Sequence, residues 1–142
     1  MANVNTTRVS NLLASPQVAN PSRTLHGTKR TAMGTIALAA GDLSATDTVM
    51  LAPIPSNAGI VSIVLYNDDI DSGTTITCDV GVYSESNGTF TAKDDDAYAS
   101  AITTFRGAVA GAGTDVTFEA RAIEKHGQAV WEDAGYATDP GG

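Results

Sequence analysis

Residues 74–92, TTITCDVGVYSESNGTFTA, contain the pattern that decides the fold of this chain. Over 74–83 apolar residues alternate with polar ones, which is the period of a β-strand with one buried face. Asn87-Gly88 follows, and this dipeptide is the strongest short hairpin signal because both residues tolerate positive φ. The sequence therefore predicts a hairpin from this strand into a second strand over 89–92. The inward face is predicted to comprise Ile76, Cys78, Val80 and Val82.

Short strands with turns between them are also predicted on both sides of this hairpin. They cover 35–40, 47–52, 59–66 and 114–123, and 128–131 is predicted to be a further short strand or a turn. In 114–123 the alternation places Val116 inward and both Thr117 and Arg121 outward. Three acids, Asp94–Asp96, precede a predicted helical turn over 97–102, because Asp favours helix N-termini. The glycine-rich stretch 107–113 is predicted to be a loop. About seven strands, with a turn every 8–12 residues or so, indicate an all-β fold, an antiparallel β-sandwich or jelly roll with one short helix.

The first 33 residues differ from the rest of the chain. They show no helical or strand period apart from a short helical turn over 9–14, and Pro16 and Pro21 interrupt them. We therefore predict an extended N-terminal arm over 1–33 and a β-sandwich domain over 34–142. The arm has too little apolar surface to offset its ordering entropy alone, so we expect it to become ordered on a partner.

Charge follows the same division of the chain. The net charge is −8, yet residues 1–41 contain four basic residues and no acid. Residues 42–142 carry all sixteen acids with the other four basic residues, a formal −12. The acidic body argues against non-specific nucleic-acid binding, and the basic arm favours an acidic surface on another subunit. The arm residues expected to bind the partner are Arg8, Val9, Leu12, Leu13, Arg23, Leu25, Lys29 and Arg30.

Composition and motifs narrow the function further. The 142 residues are 42% hydrophobic, enough for one core, and no apolar run approaches the roughly 20 residues of a membrane span. Cys78, the sole cysteine, is predicted to be a small core residue, and His126 a surface residue. The acidic turn at Asp68, Asp69 and Asp71 breaks the calcium-loop pattern at Ile70, so a solvated turn is favoured over a weak cation site. We expect no metal, no cofactor, no membrane and no catalysis.

Four stretches together resemble the head decoration, or cement, proteins of tailed bacteriophages. They are GTIALAAGDLSATDTVMLAPIPSNAGIVSIVLYN (34–67), TTITCDVGVY (74–83), DDDAYASAI (94–102) and AVWEDAGYATDPGG (129–142). The resemblance implies a small β-sandwich virion protein that binds the outside of the capsid, often as a trimer, and stabilises it. Its partner would be the major capsid protein, and it would occupy the host cytoplasm before assembly. Because such proteins usually continue with a strand after a turn like DPGG, completion of the sheet by a neighbouring chain stays open.

Two other classes of function also fit the sequence. A carbohydrate-binding or host-attachment module would use aromatic stacking surfaces, for which the candidates are Tyr66, Tyr83, Tyr98, Trp131 and Tyr136. A tail or head–tail joining protein would share the structural role but occupy another place in the particle. An enzyme of unrecognised type is disfavoured, because no nucleophile and base are paired in a known motif.

Overall fold

The structure is a computed structural model that describes residues 10–11, 13–19, 28–38, 46–70 and 75–141. These residues form small antiparallel sheets of two strands each, with one short α-helix after them. The strands are β1 (Val64–Asn67), β2 (Cys78–Ser86), β3 (Thr89–Ile102) and β4 (Val109–Asp115); the helix is α1 (Val130–Asp133), and 3-10 turns cover Thr104–Arg106 and Ile123–Lys125. Strand β1 pairs with β4, and β2 pairs with β3. The prediction of a mostly strand-forming chain with one short helix is thus confirmed, but the helix lies at Val130–Asp133 and not at the predicted 97–102. In the arm, Ser10, Asn11 and Leu13 are helical, inside the turn predicted over 9–14.

The predicted hairpin is present and joins β2 to β3. Asn87 and Gly88 form its turn with φ values of 52° and 79°, and Ser86 pairs with Thr89 across it. Positive φ at both central residues matches the twist of the two strands, which explains why Asn-Gly is suited to this position. The predicted alternation also holds over 75–80, where even-numbered residues are half-buried and odd-numbered ones exposed. Cys78 is accordingly half-buried rather than fully enclosed.

The helical turn predicted over 97–102 is wrong, because these residues belong to β3. Val80 pairs with Ala99 and Val82 with Asp94, so a two-residue step on β2 faces a five-residue step on β3. The extra residues on β3 form a large bulge, and Tyr98 of this bulge points into the interior. Gly81 lies against this bulge, where an added Cβ would overlap the Asp94 carbonyl. Pairing with β2 therefore outweighs the local preference of three acids for a helix start.

The second sheet corrects two further predictions. Leu65 pairs with Thr114 and Asn67 with Val109, so the glycine-rich stretch predicted as a loop is strand β4 with a bulge. The strand predicted over 114–123 ends at Asp115, whose carboxylate accepts bonds from the Thr117 N–H at 3.0 Å and hydroxyl at 2.5 Å. Such an Asx turn bends the chain and ends regular pairing.

The remaining predicted strands have little ladder pairing. Of 59–66 only the part from Val64 onward is a strand, and Gly59 makes one isolated bridge to Ala129. Of the strand predicted over 35–40, residues 39–40 lie outside the described residues, and 35–38 belong to no strand. Residues 47–52 also belong to no strand, and 128–131 passes through that bridge into α1. A β pattern in sequence does not produce a strand unless a neighbouring chain segment supplies the hydrogen bonds.

Residues from both sheets meet in a small hydrophobic core. Its buried members are Leu65 of β1, Ala99 of β3 and Val116, which follows β4. Half-buried apolar side chains pack around them: Ile63, Val80, Ile102 and Phe105. The backbone also closes this junction, since the Val116 N–H donates to the Ile63 carbonyl at 2.9 Å.

A buried ion pair joins the C-terminal segment to this core. Arg121 and Asp133 are each 4% exposed, and the guanidinium donates through Nε and Nη2 to the carboxylate, with the Nη2–Oδ2 distance at 2.8 Å. Nη2 also donates to the Lys125 carbonyl at 2.9 Å, and the Tyr98 hydroxyl donates to Asp133 Oδ2 at 3.1 Å. The guanidinium lies 5.5 Å from the Tyr98 ring and 5.6 Å from the Phe118 ring. The predicted outward position of Arg121 is therefore wrong. The outward position predicted for Thr117 is wrong as well, because that residue is only 1% exposed.

Tyr98 supports the ion pair as a hydrogen-bond donor. Burial, together with the neighbouring Asp133 carboxylate, raises the pKa of the Tyr98 hydroxyl above its ordinary value. The phenol therefore stays protonated and keeps donating to Asp133 throughout the neutral range. This bond connects the β3 bulge to α1.

We expect Arg121→Met to destabilise the protein by about 3–5 kcal/mol, because it leaves the Asp133 carboxylate buried without its counter-charge. Lys125→Met removes the same charge from an exposed side chain and is expected to change stability by less than about 0.5 kcal/mol. The double variant Arg121→Met/Asp133→Leu should recover most of the loss, since no charge is then buried alone. Urea unfolding of the full chain measures all three. Equal stability of the two single variants would contradict this account.

Asp115 should contribute to stability at neutral pH but not in acid. Hydrogen bonds from the Thr117 hydroxyl and then from its N–H hold the pKa of the Asp115 carboxyl below its ordinary value. A lowered folded-state pKa gives stability that is present above the unfolded value of about 3.9 and is lost as pH falls through the folded value. Asp115→Asn should therefore narrow the gap in unfolding free energy between neutral and acid pH. If high salt removed the difference in this gap between the wild-type protein and Asp115→Asn, the result would contradict a hydrogen-bond origin of the lowered pKa.

Candidate partner-binding surface

The structure describes three of the arm residues predicted to bind a partner. Leu13 is 68% exposed, and Lys29 and Arg30 are exposed as well. Within the described part of the chain neither cation has an ion-pair partner. The other predicted residues, Arg8, Val9, Leu12, Arg23 and Leu25, lie outside the described residues. The described members therefore have the exposure that a contact with another molecule requires.

Residues 28–38, which we call the basic ribbon, carry exposed apolar side chains beside these cations. Met33 is 85% exposed and Ile36 is 59% exposed. Gly34 lies directly against the Leu51 carbonyl, where any Cβ would overlap the oxygen, so the ribbon runs beside 46–51. That neighbouring segment also exposes apolar side chains, Met50 and Leu51. The ribbon is thus held against the body at Gly34 while its large side chains stay uncovered.

A second apolar surface is built on β1. Val64 and Tyr66 project from the exposed face of this strand, and Gly113 of β4 lies beneath them. A Cβ at Gly113 would overlap Val64 and come within 2.8 Å of the Tyr66 ring. The Tyr66 hydroxyl donates to the Ala112 carbonyl at 3.2 Å, so the ring is fixed although 62% of the residue is exposed. We call Val64, Tyr66 and Gly113 the Tyr66 platform.

Exposed carboxylates stand at both ends of the Tyr66 platform. Asp68 follows the last residue of β1, and Asp115 pairs with Val64 at the start of that strand. The platform therefore has an apolar centre with negative ends. Rigid tyrosines at a surface are favoured contact residues, because they bury a large area and lose little side-chain entropy.

The tip of the β2–β3 hairpin is exposed as well. Every residue over 85–93 is exposed, including Phe90 at 51%. A two-stranded hairpin with neither face covered is marginally stable in water. The hairpin tip is therefore a third candidate contact surface.

Large apolar side chains in the described residues are more often exposed than buried. Those buried are Leu65, Tyr98, Val116 and Val130. Those exposed are Leu13, Val18, Met33, Ile36, Met50, Leu51, Ile54, Val61, Val64, Tyr66, Ile70, Phe90 and Ile123. Single exposed apolar residues are ordinary, but clusters of them mark interaction surfaces. The clusters on the ribbon and on β1 are therefore candidate contact surfaces.

His126 and Cys78, the residues considered for a reactive role, lie in different environments. His126 is exposed, as predicted, and its ring lies 5.8 Å from that of Phe118. Burial, with a smaller effect of the Asp79 charge, raises the pKa of the Cys78 thiol. A raised thiol pKa lowers the thiolate fraction that a nucleophile needs.

The acid cluster predicted as a helix start lies in the β3 bulge. The carboxylates of Asp94, Asp95 and Asp96 approach within 4.8 Å of one another, and Asp95 and Asp96 are exposed. Partial burial and then a hydrogen bond with Asp96 raise the pKa of Asp94. Asp68 and Asp69 of the other acidic turn are exposed, and Asp71 lies outside the described residues. Exposed carboxylates of this kind are consistent with solvated turns.

The aromatic residues of the carbohydrate alternative do not form one surface. Tyr98 is buried, whereas Tyr83, Trp131 and Tyr136 are half-buried. Of the five candidates only Tyr66 is exposed, on the platform. The carbohydrate-binding alternative therefore depends on one exposed ring, that of Tyr66.

Comparisons with known proteins give no family for this chain. No family model matches it, and no curated protein or solved structure matches it either. Separately, none of the helices within the described ranges has the length and apolar character to cross a membrane.

Sequence reasoning missed the Tyr66 platform, although part of its signal is present in the sequence. Tyr66 ends a strongly apolar run, and 107–113 contains only glycine, alanine and valine. Small residues in a strand allow a ring from the neighbouring strand to lie flat on them. Recognising the site required the pairing of β1 with β4, which lie more than forty residues apart.

The packing of the Tyr66 platform can be tested with a matched glycine pair. Gly111 and Gly113 have φ values of 72° and 73°, but an added Cβ at Gly111 meets no atom within 4 Å. Gly111→Ala should cost about 1–2 kcal/mol of unfolding free energy from backbone strain alone. Gly113→Ala should cost about 1–3 kcal/mol more, because its Cβ displaces Val64 and the Tyr66 ring. Urea unfolding measures the difference, and equal losses would show that the ring does not pack on Gly113.

Proposed function

We propose that this chain is a structural virion protein that binds the outer surface of a tailed-phage capsid and stabilises it. The observation that carries the proposal is the basic ribbon, which leaves Met33, Ile36, Lys29 and Arg30 uncovered beside an acidic body. The sequence resemblance to decoration proteins supports the same role. The major capsid protein is the proposed partner, reached in the host cytoplasm before the chain becomes part of the virion surface.

Apolar contacts would supply most of the binding free energy. An exposed ion pair contributes only about 0–1 kcal/mol, so Lys29 and Arg30 mainly orient the arm on an acidic surface. Burying a side chain the size of Met33 or Leu13 contributes about 1.5–3 kcal/mol. Repetition over many identical subunits then multiplies modest contacts into stable attachment. The proposed role includes no catalysed reaction and no cofactor.

The β-sandwich or jelly roll also belongs to this proposal. Each described sheet has two strands, and the segments 35–38 and 47–52 have strand-like sequence patterns but belong to neither sheet. We propose that these segments pair when neighbouring subunits bring further strands, giving a sandwich within the assembly. A homo-oligomer, with a trimer favoured, fits this expectation.

One alternative has an observation in its favour. The exposed and fixed Tyr66 ring is suited to stacking on a sugar, as in a carbohydrate-binding or host-attachment module. A glycan array with the purified protein would separate this role from capsid binding. A tail or head–tail joining role differs in copy number, which would be a handful per particle rather than hundreds.

Deleting residues 1–33 should abolish or strongly reduce co-sedimentation with shells assembled from the proposed partner, a major capsid protein. Because a deletion changes more than one contact, the full-length double variant Lys29→Glu/Arg30→Glu should also lower shell occupancy, and more so at low salt. Lys125→Glu, a matched charge reversal on the body, should leave occupancy unchanged. Undiminished occupancy of the deletion variant would overturn the role of the arm.

A further inference from the structure

Two surfaces of this chain are uncovered and opposite in character. The basic ribbon carries Lys29 and Arg30 together with the exposed Met33 and Ile36. The Tyr66 platform has an apolar centre, with exposed Asp68 and Asp115 at its ends. Apolar groups with flanking charges of opposite sign are the composition of two halves of one interface.

The two surfaces do not cover each other within one chain. Met33 is 85% exposed and Tyr66 is 62% exposed, so neither is buried by an intramolecular contact. Gly34 instead fixes the ribbon beside Leu51. Where one molecule exposes both halves of a complementary pair, a second copy can supply the missing half.

Charge favours a second copy as the occupant of the platform. Residues 42–142 carry a formal −12, and residues 1–41 carry +4 without any acid. Two bodies brought together without the arm would repel each other, whereas an arm laid on the next body lowers that repulsion. The basic ribbon is thus the part of the chain best suited to a body of the same kind.

We propose that the basic ribbon of one copy binds the Tyr66 platform of a second copy in the free protein, so that this contact and the capsid compete for the ribbon. This inference rests on the proposed function in its expectation of a homo-oligomer, and it names the surfaces that meet. The contact is heterologous, since different patches meet, and such contacts close into rings when the rotation between copies permits. The fixed Tyr66 ring is the central contact, and the carboxylates at both ends select the cationic ribbon.

Sedimentation equilibrium of the purified full-length protein tests the proposal. We expect reversible association that weakens as salt is raised, because charge pairs contribute to it. Tyr66→Ala should raise the dissociation constant by about tenfold or more, as expected for a central aromatic contact. Ile123→Ala removes a comparably exposed apolar side chain that belongs to none of the candidate contact surfaces, and it should leave association unchanged. A chain that is monomeric at all concentrations, or equal effects of the two variants, would overturn the proposal.

A second set of variants keeps the test decisive if Tyr66→Ala does not fold. Lys29→Glu/Arg30→Glu changes only exposed side chains and should weaken association, whereas Lys125→Glu should not. A photo-crosslinker at Met33, used in a mixture of isotopically light and heavy protein, should give light–heavy crosslinks to the peptide that contains Tyr66. Crosslinks confined to one isotope would show an intramolecular contact and contradict the proposal.

Tyr66→Ala also separates this inference from the proposed function. The platform is not among the residues proposed to bind the capsid, so a copy with this substitution should still sediment with shells. Shell binding without association between copies would refute the inference and leave the proposed function intact. Association between copies with no shell binding by the wild-type protein would support the inference and refute the proposed function.

Discussion

The buried Arg121–Asp133 pair is the constraint on which the described fold depends. It lies where the β3 bulge, the segment after β4 and α1 meet, and each of these contributes one partner. A guanidinium donates in several directions within one plane, so a single side chain can reach the Asp133 carboxylate and the Lys125 carbonyl together. With only a small apolar core available, a fully bonded ion pair fixes the relative position of segments that packing alone would leave loose.

The bulges explain how short sheets build specific surfaces. In both sheets the later strand carries the extra residues, and in both a glycine allows close approach of backbone or ring. At β3 the bulge sends Tyr98 inward to Asp133, which stabilises the interior. At β4 it presents Gly113 to Tyr66, which holds a ring on the outside. Bulges thus direct one tyrosine to the core and another to the surface.

What the sequence predicts correctly is local. Asn87-Gly88 defines the hairpin because the required φ values belong to those two residues, and the alternation over 75–80 needs only one buried face. Arg121 is predicted on the wrong face, because the Asx turn at Asp115 ends the alternation from which its position is inferred. The candidate surface divides in the same way: the ribbon is detectable from composition and charge, whereas the Tyr66 platform exists only through the pairing of two distant strands.

Because the apolar core is small, many large apolar side chains of this chain remain at the surface. Apolar side chains left exposed on the ribbon and platform add nothing to the stability of the single chain, so their hydrophobic free energy remains available for association. If the proposed partner binds these surfaces, its binding would also stabilise the fold by mass action. Exposed apolar surface alone would favour indiscriminate clustering of free copies. The net negative charge of the body opposes this clustering, because like charges repel. The proposed attachment would therefore need both the cationic ribbon and the apolar contacts, and only a surface that offers acidic and apolar groups together would satisfy it.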